Sequence, residues 1–271
     1  MKSVGSIGKI TKAMKMVSAA KMKSDLDRLQ RGREYGCNAI DMVFKSDQFM
    51  QRKMPADVAE PATVFVPITS DKGLCGAVNS SCVRLVKKIM SEVQTRNKHK
   101  IFSIGDKGSA GFTRPFPDIF KESITKVGTP YNYPTCMSMA VHVTEFSKDA
   151  DRITVIYNEF KSAIAYDTRQ LDLMPKTRFL EAMKFSKLYN QTLPDKNTSN
   201  PALYELYLTS NLWVAFLNNA ASEQSARMAA MENASKNAKE IFEKLTLQYN
   251  KARQARITME LVEIISGASA L

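Results

Sequence analysis

Residues 217–259, LNNAASEQSARMAAMENASKNAKEIFEKLTLQYNKARQARITM, run without a proline or a glycine and carry a seven-residue repeat. One set is Leu217, Gln224, Met231, Ala238, Leu245, Ala252 and Met259; the interleaved set is Ala221, Met228, Ser235, Phe242, Tyr249 and Arg256. A hydrophobic period of 3.5 residues held this long predicts a coiled-coil helix. Glu223 with Arg227, Glu232 with Lys236 and Glu240 with Lys244 stand four apart, acid first, which supports a helix surface. Ala, Ser, Gln and Arg fill many seam positions, so the seam favours close helix approach over a large apolar gain. Such a helix needs a partner.

Working outward, all ten prolines lie between residues 55 and 201, so both ends of the chain are free of the strongest helix breaker. In the first arm Ile7, Ile10, Met14 and Val17 recur at helical spacing, and Met22, Leu26 and Leu29 continue after a phase shift. Seventy helical residues reach roughly 105 Å, beyond the diameter of a domain this size. The expectation is a rod of two long terminal helices, 1–54 and 202–271, paired as an antiparallel coiled coil around a central domain, 55–201.

That middle segment alternates strand and helix signals. Residues 62–69 (ATVFVPIT), 100–104 (KIFSI) and 152–157 (RITVIY) read as strands, residues 77–96 and 137–146 as helices, and residues 195–201 (DKNTSNP) as a polar return loop. Alternation of this kind predicts an α/β fold built on a small central sheet.

Composition narrows the function. No apolar run reaches the ~18 residues of a membrane-spanning helix. The four cysteines, Cys37, Cys75, Cys82 and Cys136, lack paired metal spacing, and His99 and His142 are the only histidines, so no His-rich metal site is expected. Residues 1–34 hold nine Lys or Arg against three acids, half of the net charge of +12. Three readings stay open for this arm: a solvated basic face, a surface meeting an acidic protein, or nucleic acid or membrane binding. Tyr35 is the only aromatic residue before Phe44, which disfavours single-stranded nucleic acid. The basic, acid-free start also imitates a mitochondrial transit peptide.

The stretch most like chemistry is SDKGLCG at residues 70–76, between a strand and a helix, where backbone amides could cradle a phosphate with Lys72 as counter-charge. Its spacing is neither of the common phosphate-loop patterns, and a tight turn using glycine is the plainer reading. Gly105 to Gly108 reads as an ordinary turn. Cys75 would serve as a nucleophile only with His99 as base; a small buried thiol is the alternative.

Residues 10–21 (ITKAMKMVSAAK), 70–77 (SDKGLCGA), 222–236 (SEQSARMAAMENASK) and 245–271 (LTLQYNKARQARITMELVEIISGASAL) together resemble the γ subunit of F-type ATP synthase, in order and at matching spacing. The resemblance implies a non-catalytic central rotor shaft that couples proton-driven rotation to ATP synthesis on the catalytic β subunits. It implies three sets of partners: an α3β3 ring around the coiled coil, and a membrane c-type rotor ring and δ/ε-type subunits at the foot. No cofactor, metal or nucleic acid is implied. The acidic loops of β would supply the partner of the basic arm, where Lys12, Lys15 and Lys21 lie in an acid-free stretch. The family's coupling positions match Met14, Lys15, Arg227, Arg253, Gln254, Thr258 and Glu260. Each has a plainer reading as a seam residue or a solvated charge.

Family members usually carry further residues ahead of the first motif, so Met1 is read as a processing boundary. Residues 190–201 hold no cysteine, so the thiol-switched plastid form is not expected. The carboxy-terminal likeness favours a mitochondrial form on the matrix face of the inner membrane, with a bacterial form as the alternative. Two other classes remain as runners-up: a small nucleotide-binding enzyme with coiled-coil oligomerisation arms, and a basic coiled-coil adaptor for nucleic acid.

Overall fold

The computed structural model describes residues 1–33, 60–184 and 196–269. Two helices dominate it. Helix α1 spans Lys2–Arg33 and the last helix, α6, spans Lys196–Ser269, about 111 Å at the usual rise. They pack antiparallel: Gly5 lies against Phe242, Gly8 against Ala238, Lys15 against Glu232 and Gly32 against Leu217. The α6 seam follows the heptad read from the sequence as far as Ala238, with Leu217, Ala221, Met231 and Ala238 buried.

The α1 seam is not the apolar one. Thr11, Ser18, Leu29 and Gly32 are its buried residues, with Gly8, Lys15 and Met22 half-buried between them. Ile7, Ile10 and Val17 instead point outward and are more than half exposed. Small side chains win the inner face because the backbones approach closely. A Cβ on Gly32 would run into Leu217 Cδ1, so any larger residue there must push that buried side chain aside. The expected Ile7, Ile10, Met14, Val17 seam is therefore corrected to a small-residue seam with the apolar stripe on the outside.

The middle segment is a five-stranded sheet. Its strands are β1 (Thr63–Pro67), β2 (Lys100–Ile104), β3 (Phe120–Ile124), β4 (Arg152–Phe160) and β5 (Tyr166–Leu173), in the order β3-β2-β1-β4-β5. The first four are mutually parallel and β5 closes one edge antiparallel to β4. Helices cover both faces, which is why β1 is apolar without alternation. On one face Val64, Val66, Ile104, Ile153 and Val155 pack against α4 (Tyr133–Phe146), α5 (Lys176–Met183) and the first half of α6, whose Tyr204, Tyr207, Leu212 and Phe216 are buried. On the other, Phe65, Ile101 and Ile156 meet α2 (Val78–Glu92) and α3 (Asp106–Thr113) through Cys82, Val86 and Phe112.

Local chemistry sets the helix starts. Asn132 Oδ1 accepts from the Thr135 amide and Pro134 sits in the first turn, so α4 begins four residues before the expected 137. The expected helix over 77–96 ends at Glu92, where Val93 turns extended. Gly105 to Gly108 opens a helix, not a turn: Gly105 has φ 103° and packs against the Thr69 carbonyl, and the Gly108 amide donates to Thr69 Oγ1. The expected loop at 195–201 is corrected as well. From Lys196 it is helical with Pro201 inside, because Tyr204, Tyr207 and Leu208 anchor the following turns and the proline forfeits one hydrogen bond near the start. The expected boundary after residue 201 thus falls within α6. The far end of the first arm, 34–54, lies outside the described residues.

Candidate functional site

Three surfaces carry the residues singled out above. The first is the turn after β1. Its polar atoms bind one another: Asn79 Oδ1 accepts from the Ser70 amide (2.9 Å), Ser70 Oγ donates to the Lys72 carbonyl (2.6 Å), and Asn79 Nδ2 reaches Ser70 Oγ (2.8 Å). Asp71 ties the turn to its neighbours, accepting from the amides of Asp106 (3.0 Å) and Val127 (2.9 Å). The result is a stiff loop with Lys72 and Leu74 outward. Leu74 is 65% exposed and sits at φ 62°, a strained conformation for a bulky residue.

Cys75 is buried beneath this loop, and burial raises its thiol pKa. His99 precedes β2 at the opposite end of the parallel strands, roughly 16 Å away for five residues of strand. Its imidazole is buried, neither ring nitrogen has a partner among the described residues, and burial lowers its pKa. The expected alternative of a Cys75–His99 pair is therefore corrected: the sheet holds the two groups apart.

The second surface is where the rod meets the sheet domain. Arg227 and Glu223, both more than nine-tenths buried, pair at 2.5 Å, and the same Arg227 nitrogen reaches the carbonyls of Gly73 (3.4 Å) and Lys72 (3.5 Å). Burial raises the Glu223 pKa while the Arg227 charge opposes the shift. Asp25 behaves alike: burial raises it, and Arg28 and Lys21 oppose. Beside the pair a cavity of about 350 Å³ is lined by Lys21, Lys72 and Lys126 together with Asp71 and Glu223. Arg28 adds a second tie, donating to the Tyr131 carbonyl and lying 5.8 Å over the Trp213 ring.

The third surface is the distal rod. Arg253, Gln254, Thr258 and Glu260 are all exposed there. Thr258 Oγ1 donates to the Gln254 carbonyl (2.9 Å) and Arg256 pairs with Glu260 at 2.8 Å. Past the level of Lys2, residues 251–269 are exposed on every face, including Ile257, Met259, Leu261, Ile264 and Ile265.

The structure thus divides the expected contact residues into groups. Lys21 and Arg227 meet at the cavity, Arg227 being buried inside the chain. Lys15 pairs with Glu232 across the rod at 2.8 Å, which corrects the expected Glu232–Lys236 pair. Lys12 is exposed and Met14 half-buried on α1. The four distal residues stand roughly 40–50 Å farther along α6 than Arg227. Sequence reasoning missed Glu223, Asp25 and Tyr131 as members of the junction. The signal available was Glu223 four residues before Arg227 beside a seam alanine, Ala221.

Among the described residues, no group of three His, Cys, Asp or Glu could hold a metal ion, and no helix is long and apolar enough to cross a membrane. The whole chain, residues 1–271, matches the family model described as ATP synthase. It is 36% identical over 272 residues to the mitochondrial ATP synthase subunit gamma of Drosophila melanogaster, covering 100% of this chain and 88% of that one. It is 35% identical over 280 residues to the ATP synthase gamma chain of Pelagibacter ubique, covering 99% and 96%. Among solved structures it is similar to a chain of the central stalk and c-ring of the Tetrahymena thermophila mitochondrial ATP synthase. That match has a TM-score of 0.75 at 41% identity, over 83% of this chain and 99% of that one. A chain of the Euglena gracilis mitochondrial enzyme shares the fold at a TM-score of 0.78 and 22% identity, over 99% of this chain and 91% of that one.

Proposed function

The chain belongs to the family of ATP synthase γ subunits, and from that membership we propose that it is the central rotor shaft of an F-type ATP synthase. It couples proton-driven rotation to the conformational changes that make ATP on the catalytic β subunits. One observation carries the mechanical part of the reading: two long helices pair antiparallel and project from a sheet domain that also grips the longer of them. That is a shaft on a foot, asymmetric about its own axis.

In this reading the paired stretches of α1 and α6 that project beyond the sheet domain enter an α3β3 ring, and the sheet domain, with the part of α6 packed on it, is the foot that joins a c-type membrane ring and δ/ε-type subunits. Lys12, Met14, Lys15 and Lys21 face the acidic loops of the ring near the foot, and Arg253, Gln254, Thr258 and Glu260 engage it deeper inside. Arg227 acts by seating the Lys72–Leu74 turn against the shaft. The chain is the non-catalytic partner; what supports this is its membership of the family, and with it that Ser70 and Asp71 of the turn at 70–76 are engaged in holding that turn in place. The assembly sits peripherally on the matrix face of the mitochondrial inner membrane, a bacterial cytoplasmic face being the alternative.

The test is reconstitution with an α3β3 ring and a probe fixed to the foot. Unidirectional, stepwise rotation on adding Mg-ATP is expected. An assembled complex that hydrolyses ATP while the probe stays still would overturn the reading.

A further inference from the structure

The foot holds α6 in two chemically different ways. Tyr204, Tyr207, Leu208, Leu212 and Phe216 bury apolar side chains against the sheet, an attraction without direction. The next two turns change character. Asn218 Oδ1 accepts from the Phe160 amide (3.4 Å), Asn219 Oδ1 accepts from Asn158 Nδ2 (3.0 Å), Ser222 Oγ donates to the Asn158 carbonyl (3.1 Å), and Ser225 Oγ donates to the Ala163 carbonyl (2.7 Å). The four residues form one stripe along β4 and the hairpin turn after it.

Asn158 is the hub, and it cannot follow the helix. Its amide nitrogen shares its two protons among Asn219 Oδ1, the Val78 carbonyl and Cys82 Sγ, the last two at 3.2 Å, and its Oδ1 accepts from Thr168 Oγ1 at 2.9 Å. It is therefore pinned from α2 and β5 as well as from α6. Interlocked rings such as Tyr204 and Tyr207 against Phe179 already oppose turning of the helix, and hydrogen bonds, which weaken steeply with misalignment, add a sharper angular restraint along the buried stripe. Asn219 is wholly buried and its own amide nitrogen has no partner among the described residues. An apolar residue would not carry that cost, so stability is a poor account of asparagine at this position.

We infer that Asn218, Asn219, Ser222 and Ser225 are positioning residues that form the torque joint of the shaft, fixing the angle of α6 about its own axis relative to the sheet. The inference rests on the rotor reading above. Torque applied at the foot then reaches the rod as rotation, not as slip or twist at the contact. The same joint sets the angular phase between what the foot is attached to and what the rod pushes.

The test uses the chain assembled with an α3β3 ring, a probe on the foot, and the angular spread of the probe at each ATP-waiting pause. The triple variant Asn219→Ala, Ser222→Ala, Ser225→Ala should widen the variance of that spread by roughly twofold or more while the spacing of pauses and the unloaded speed hold. Val86→Ala, buried beneath the other face of the sheet, should lower the melting temperature without widening the spread. An unchanged spread in the triple variant, or equal widening in Val86→Ala, overturns the joint. If the triple variant does not assemble, the pair Ser222→Ala with Ser225→Ala is read by the same criterion. Failure of the unaltered chain to rotate at all would overturn the rotor reading instead.

Discussion

Residues 204–231 of α6 and residues 247–269 of the same helix are continuous in backbone and opposite in surroundings. In the first stretch aromatic rings, a polar stripe and a buried ion pair meet the foot, while Leu217 and Ala221 pack on Leu29 of α1. In the second, Leu247, Tyr249, Met259, Leu261, Ile264 and Ile265 are all more than half exposed. The first is held by its own chain; the second is a surface prepared for another. Contiguous exposed apolar area of that kind marks an interaction site. Residues 251–269 are exposed on every face, so within the chain the distal rod has no tertiary packing to add to its helix propensity.

The comparison breaks most sharply at the ion pair. Arg227→Met leaves Glu223 buried without its counter-charge, a change that typically costs about 3–5 kcal/mol. Glu223→Gln with Arg227→Met removes both charges and should recover most of the loss in a thermal melt of the chain. The pH dependence follows from sign. Burial already raises the Glu223 pKa above its ordinary 4.5, and loss of Arg227 raises it further. A carboxyl with a raised folded pKa favours the native state below its unfolded pKa and loses that contribution as pH rises through the folded one. The deficit of Arg227→Met should therefore be smaller at pH 5 than at pH 8. A deficit that grows on acidification would mean that the pair is not what Arg227 supports.

The next contrast sets the two stretches side by side. Leu212→Ala, in the gripped half, should cost about 2–5 kcal/mol, whereas Leu261→Ala in the exposed half should stay within about 0.5 kcal/mol. Hydrogen exchange of the isolated chain should follow the same line, with protection across 204–231 and rapid opening across 250–269. Uniform protection along α6 would show that the distal rod is rigid by itself and would remove the distinction.

Much of this division was legible before the fold was in view. The heptad set from Leu217 to Ala238 marks the seam, and apolar runs such as ATVFVPIT mark the buried parallel strands. Strands β3 (FKESI) and β5 (YDTRQLDL) were not legible, because as edge strands they expose charge and carry little hydrophobic signal. Helix α3 was hidden by its glycines, which admit Thr69 and Val83 at short range and so serve packing, not a turn. At the site, the outward face of α1 was misread because apolar residues are the usual seam; here small residues take the seam and leave Ile7, Ile10 and Val17 for a partner. The resemblance singled out Arg227 as an expected coupling position, and the fold places it, buried, against Gly73 and Glu223.

Within an assembled ring the exposed stretch subdivides. Arg253, Gln254, Thr258 and Glu260 offer directional donors and acceptors, whereas no charged side chain follows Glu263. Arg253→Ala with Gln254→Ala should lower ATP-driven rotation severalfold at intact assembly, since charge-assisted hydrogen bonds are the strong and directional ones. Removing residues 266–271 should leave most rotation, because small apolar contacts press nearly equally at every angle. Single-molecule rotation of both variants decides between them, and a more damaging deletion reverses the proposed division of labour.

The smallest effect belongs to the basic arm, and its smallness is informative. Lys15 and Glu232 bridge α1 to α6 at 2.8 Å, but their side chains are 38% and 59% exposed. A pair so solvated gains little over its hydrated partners, and salt screens what remains, so Lys15→Ala should shift stability by at most about 1 kcal/mol. That shift should shrink further near 1 M salt, where the screening length falls to about 3 Å. Lys15 is thus too weakly used within the chain to account for the concentration of charge around it. If Lys12, Lys15 and Lys21 serve acidic loops of a surrounding ring, reversing all three to Glu should impair ATP-driven proton pumping at low ionic strength well beyond any change in assembly or melting temperature. Pumping that survives the reversal at low salt would return this arm to a merely solvated face. Impairment that persists undiminished at high salt would assign the loss to the disturbed α1–α6 seam and not to charge.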